Sequence, residues 1–137
     1  MSAKRFIDTN ILIYAFSEDE PRASIAEAIL AAGGSISVQV LNEFVHVSRR
    51  KLNLDWPEIE ERLAVVKALT TEVVPISVAL HEKAVELARD HGFSFYDALI
   101  VAAALGAGCS HLITEDMQHA RTFGSLQIEN PFLTLQG

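Results

Sequence analysis

The chain has 137 residues and a mass of 15.0 kDa, room for one domain with a sizeable core but not for two. Half of it is hydrophobic and 21% is charged, which excludes a disordered tail, and the lone Cys109 excludes a disulfide scaffold. Eleven basic against eighteen acidic residues give a formal charge of −7, which speaks against a nucleic-acid binder that works by general electrostatics.

The longest weakly polar run, Ala98 to Cys109, falls short of the roughly 20 residues that span a bilayer. After Lys4 and Arg5, the polar Asp8, Thr9 and Asn10 interrupt any signal-like core. The expectation is a soluble cytoplasmic protein with no membrane partner, residues 1–137 forming one domain.

In chain order, Arg5 to Ile7 reads as a short strand ending at Asp8. Ile11 to Phe16 is apolar and compatible with a first helical turn. Ser24 to Ala32 has helical spacing and stops at Gly33 and Gly34; Ser35 to Val38 is the second strand. Leu41, Phe44, Val45, Ser48 and Leu52 mark another helix. Asp55 then resembles an N-cap, with Pro57 in the first turn of a helix that runs to Leu69. Val73 to Ile76 is a third strand, placed at an edge by Pro75. Ser77 caps the next helix and Gly92 ends it. Ser94 opens the most apolar helix, Phe95 to Ala107, which should be central and buried. His111 to Thr114 is strand four; a short helix over 118–123 and a last strand over 126–129 complete the expectation. Strands alternating with helices predict an α/β fold with a mainly parallel five-stranded sheet.

In such a sheet, chemistry collects at the carboxyl ends of the strands. Asp8 follows strand one and Asp116 follows strand four by two residues. Glu43 lies in the first turns of the helix after strand two, and Asp97 in the first turn of the apolar helix. Each connection delivers a carboxylate to one rim. Converging carboxylates repel, and hard divalent cations are their natural partners. Two such ions would reduce the formal −7 to −3 and let the site attract phosphate. Each acid also has a plainer role open to it: a capping box for Asp97 after Ser94, a helix cap for Asp116, a solvated helix position for Glu43. Arg49, Arg50 and Lys51 form the only basic cluster, either a solvated helix end or a contact for a nucleic-acid backbone. The five histidines have no zinc-like spacing with Cys109; His46 and His119 are the two that could approach the acids. Cys109 reads as inert core, and Trp56 as a helix-start packing residue.

The ordered set "FIDTNILIY", "NEF", "SFYDALIVAAAL" and "LITED" resembles the PIN-domain family, in particular its small VapC-type toxins. The resemblance spans nearly the whole chain. It implies a single-domain α/β/α sandwich and Mg²⁺- or Mn²⁺-dependent cleavage of RNA. It places the metal-binding acids at Asp8, Glu43, Asp97 and Asp116, with Asp116 preferred to Glu115, and supporting polar groups at Thr9, Asn10, Ser94 and Thr114. It further implies a homodimer and a cognate antitoxin partner, for which Ile11 to Phe16 and the Leu52 to Leu69 region offer apolar side chains that core packing explains equally well.

Two other classes fit parts of the pattern. A phosphatase or phosphotransferase would use Asp8 as a nucleophile, although the second acid or late lysine of such enzymes is missing. A non-enzymatic binding module would use the acids only as caps.

Overall fold

A computed structural model describes residues 4–136. β1 (Arg5–Ile7) delivers the chain to Asp8, whose side chain caps α1 (Thr9–Ala15) by accepting from the Thr9 amide. The apolar stretch after Asp8 is therefore helix, with Ile11 and Leu12 fully buried. α2 (Arg22–Ala31) follows. Gly34 then brings the chain against β1: a Cβ there would lie 2.9 Å from Ile7 Cδ1 and 3.1 Å from the Arg5 carbonyl oxygen. β2 (Ser35–Ser37) ends on Ser37, which caps α3 (Val38–Arg50) through the Val40 amide. Asp55 caps α4 (Trp56–Leu69) through the Glu58 amide, with Pro57 in the first turn. β3 (Glu72–Val74), α5 (Val78–His91) and α6 (Phe95–Gly106) follow, the helices capped by Ser77 and Ser94. β4 (His111–Ile113), β5 (Thr122–Phe123) and β6 (Leu126–Glu129) complete the sheet.

The strand order is β3-β2-β1-β4-β6-β5, parallel except for the β5–β6 pair. β3 lies at an edge, as Pro75 predicts. From β1 the chain steps to β2 and β3 on one side, then returns to β4 on the other. β1 and β4 are therefore neighbours at the switch point, with Ile7 opposite Ile113. Asp8 and Thr114 leave the sheet side by side. The helices pack in two groups, α1 to α4 and α5 with α6, and α3 touches α6. Ala98 to Ala104 are all buried, so α6 is the central apolar helix expected of its composition. Among the described residues, no helix is long and apolar enough to cross a membrane.

Two details differ from the sequence expectation. The sheet has six strands rather than five, and no helix covers 118–123. Ala120 takes a left-handed backbone (φ +68°), which a helix cannot contain. Its amide instead donates to the Ile128 carbonyl at 2.8 Å, and Ile128 donates to Arg121 at 2.9 Å. The segment thus enters a hairpin in which Phe123 opposes Leu126, joined by Gly124 (φ +60°) and Ser125. A Gly-Ser pair between two apolar residues is a hairpin signal.

Candidate active site

Asp8 is the centre of the rim. Its Oδ1 accepts the Thr9 amide at 2.7 Å, and its Oδ2 accepts the Thr114 hydroxyl at 2.8 Å. The Thr114 oxygen in turn accepts the Asp116 amide at 3.1 Å, which sets the turn that carries Asp116. Asn10, on the first turn of α1, donates its amide to Asp116 Oδ2 at 3.0 Å and to Thr114 at 3.2 Å, and reaches Asp8 Oδ2 at 3.5 Å. One amide thus ties two carboxylates that would otherwise repel.

Glu43 joins from α3. Its Oε2 accepts the Thr9 hydroxyl at 2.8 Å, and its Oε1 accepts the Gln39 side-chain amide at 3.2 Å. Gln39 lies one turn before Glu43 on α3, the spacing at which helical side chains meet. That i−4 spacing was the signal available in the sequence for a residue it did not single out. Asp97 stands in the first turn of α6, its own amide capped by Ser94 Oγ at 3.2 Å. Its carboxylate makes no hydrogen bond to Asp8, Glu43 or Asp116, and it feels the Asp116 charge.

The electrostatics agree with the convergence. Burial pushes the Asp8 carboxyl up to about 7; the Thr114 and Thr9 hydrogen bonds oppose this, while Glu43 and Asp116 add to it. Burial also raises Asp97, and Asp116 contributes there. Among the described residues none of these four acids forms an ion pair with Lys or Arg.

Glu115 lines the same cleft as Glu43 and Asp116 but is held by other partners. The Tyr14 hydroxyl donates to its Oε1 at 2.8 Å, and Arg22 Nε lies 3.7 Å from its Oε2. Its backbone amide donates to Asn10 Oδ1 at 3.2 Å. Of the two adjacent acids, Asp116 is the one connected to Asp8 through Asn10 and Thr114.

The basic cluster divides. Arg49 covers the Trp56 ring, 4.8 Å from guanidinium carbon to ring centroid, and donates to the Leu54 carbonyl at 3.0 Å. Arg50 is exposed. Lys51 lines a cleft of about 450 Å³ with Thr9, Asn10, Glu43, His46 and Asp116. His46 therefore does approach the acids, whereas His119 accepts the Asn130 amide at 3.0 Å through Nδ1. Cys109 is buried, and Trp56 is half-exposed beneath Arg49.

Among the described residues, no group of three or more His, Cys, Asp or Glu side chains is placed to hold a metal ion together. The donor set nevertheless suits a hard divalent cation. It offers carboxylate oxygens, a buried acid whose pKa burial raises and which no Lys or Arg pairs with, and a cleft open to water. Mg²⁺ keeps several waters and needs only one or two protein carboxylates.

The mainly parallel α/β sheet thus presents Asp8 and Asp116 at its switch point, the place where ligands bind in sheets of this kind. The PIN domain family model matches residues 5–123, and the chain belongs to that family. It is similar in structure to a toxin–antitoxin complex from Klebsiella pneumoniae, with 26% identity and a TM-score of 0.69 over 95% of this chain and 98% of that one. It is also similar to Mycobacterium tuberculosis VapC20, a sarcin–ricin loop cleaving toxin, with 21% identity and a TM-score of 0.66 over 80% of this chain and 87% of that one. A third resemblance is to VapBC2 from Rickettsia felis bound to promoter DNA, with 22% identity and a TM-score of 0.66 over 92% and 97%. No curated protein matches at a significant level.

Proposed function

We propose that this chain is a metal-dependent endoribonuclease, acting in the cytoplasm as the toxin of a toxin–antitoxin pair and folding as one domain. The observation that carries the reading is the set of carboxylates of Asp8, Glu43 and Asp116, un-neutralised by Lys or Arg, with Asp97 of α6 close enough to Asp116 to feel its charge. Family membership and the likeness to VapC toxins support it.

Asp8, Glu43, Asp97 and Asp116 would hold one or two Mg²⁺ or Mn²⁺ ions. Such ions supply Lewis acidity toward a phosphodiester and make water a competent nucleophile near neutral pH. Asp8 is fixed by Thr9 and Thr114, so it meets a cation without reorganising. Asn10 holds Asp116 and Thr9 orients Glu43. Lys51, on the cleft wall, contacts a phosphate of the RNA strand, with Arg50 further along the same helix end. No side chain is assigned as general base. An aspartyl-phosphate route suits the site less well, because Asp8 is buried with both oxygens hydrogen-bonded.

An antitoxin would cover apolar side chains outside the core, of which Leu52 lines the acid cleft. Leu52, Trp56, Val65 and Leu69 are exposed and available, while Ile11 and Leu12 are committed to the core. A homodimer is part of the same proposal.

The test is cleavage of a cellular RNA pool by purified protein with Mn²⁺, with Mg²⁺ and with EDTA, beside an Asp8→Asn/Asp97→Asn variant. Discrete metal-dependent cuts that vanish in the variant are expected. Equal cutting by both proteins, or no change with EDTA, would overturn the reading.

A further inference from the structure

A second cleft, about 490 Å³, opens beside the rim and is lined by Gln39, Asn42, Glu43 and His46 of α3 and by Tyr96 of α6. Tyr96 immediately precedes Asp97, yet it is 63% exposed on a helix whose residues from Ala98 to Ala104 are all buried. The core does not require this ring. An exposed aromatic face is a stacking platform, and every base has a π-face to set against it. The opposite wall is polar: Asn42 and His46 are exposed and carry both donors and acceptors. Glu43 belongs to this wall and to the acid rim at once, so the two sites are contiguous. Phe95, next in line to Tyr96, is instead packed edge-on by His81 at 5.4 Å between ring centroids.

We propose that the Tyr96–Asn42–His46 cleft takes one unpaired nucleobase flanking the scissile phosphate, with Tyr96 stacking on it and Asn42 and His46 reading its edge. This rests on the nuclease reading, since a phosphate held at Asp8 and Asp97 places its adjoining nucleoside next to Glu43 and Tyr96. The consequence is a sequence preference at one position beside the cut.

Two measurements test it. The first is cleavage of a randomised single-stranded RNA pool with Mn²⁺ by wild type, Tyr96→Ala, Tyr96→Phe and Asn42→Ala. Tyr96→Ala should lower kcat/KM roughly 5- to 100-fold, mainly through KM, and flatten the preference at one position. Tyr96→Phe should keep both, and Asn42→Ala should change which base is favoured. The second uses the fact that the chain has only two tyrosines, Tyr14 and Tyr96. In fluorotyrosine-labelled protein with Ca²⁺ in place of Mn²⁺, short RNA tetranucleotides should shift the Tyr96 ¹⁹F resonance, assigned through Tyr96→Phe. Cutting by Tyr96→Ala with unchanged rate and profile would overturn the proposal, and would leave the cleft to a protein partner. If wild type cuts no RNA, the nuclease reading fails by itself. The base site then stands if the Tyr96 resonance still shifts, and falls if it does not.

Discussion

The Thr114 hydroxyl donates to Asp8 Oδ2 at 2.8 Å across 106 residues of sequence. Both residues are buried, and both leave neighbouring parallel strands at the same level. The bond opposes the rise that burial imposes on the Asp8 carboxyl. Thr114→Val should therefore raise Asp8 further and destabilise the fold by about 1–3 kcal/mol, the cost of leaving a buried polar group unpaired. Thr114→Ser should retain most of the stability. Thermal melts of the two variants in EDTA check this, and similar melting temperatures for both would contradict it.

Asp8 itself ties stability to pH. Its carboxyl moves from an ordinary 3.8 to about 7 on folding. Between those values the folded chain holds a proton that the unfolded chain has released. Stability from this group is thus full below about pH 4, declines as pH rises, and is gone above about 7. The loss is at most about 4 kcal/mol. Asp8→Asn carries no such penalty. In EDTA the variant should match wild type near pH 4 and melt above it near pH 7. A constant difference across that range would mean that Asp8 is not held protonated by the fold.

Divalent metal should reverse that order. Mn²⁺ at millimolar concentration should raise the melting temperature of wild type, because a ligand that binds only the folded state stabilises it. Asp8→Asn/Asp97→Asn should show little change. An equal shift in both proteins would place the ion elsewhere.

The basic triplet should separate into two phenotypes. Arg49 packs on Trp56, so Arg49→Ala should cost about 0.5–1 kcal/mol of stability and little RNA affinity. Lys51 lines the acid cleft, so Lys51→Ala should weaken RNA binding and reduce its salt dependence by about one unit of slope, with the melting temperature unchanged. Binding measured at several salt concentrations distinguishes them.

Gly34 offers a test away from the acids. Gly34→Ala would push a methyl against Ile7 and the Arg5 carbonyl, displacing the strand that carries Asp8. A destabilisation of about 1–3 kcal/mol is expected. Chemical denaturation measures it.

Much of this was legible in the chain because local signals and tertiary demands coincide. Ser77, Ser94 and Asp55 announce their helices by capping chemistry, and each caps in the structure. Asp8 and Asp116 could be placed on one rim because strand exits have a fixed sense in a parallel sheet. The segment after β4 was less legible. Its residues are compatible with a helical turn, but the decisive features are non-local: the Ile128 pairing and the left-handed Ala120. Gly124-Ser125 is a local clue to that hairpin. The roles of Gln39 and Tyr14 were hidden for a different reason. Gln39 matters only once Glu43 is known to turn toward Thr9, and Tyr14 only once its hydroxyl is known to reach Glu115.

The two ends of the sheet are both poor templates. β3 has three residues and runs into Pro75, which has no amide hydrogen to offer. β5 has two residues and turns back through Gly124. An incoming strand would find few free amides and carbonyls at either margin, so the molecule resists growth by edge-to-edge pairing. Side chains on the helices then remain as the contact surface. Trp56, Val65 and Leu69 on α4, Val78 and Val85 on α5 and Phe95 and Tyr96 on α6 are large apolar groups that reach solvent there. A protein built this way keeps its apolar contact groups on its helices while staying inert toward the ribbon-like aggregates to which short parallel sheets are otherwise exposed.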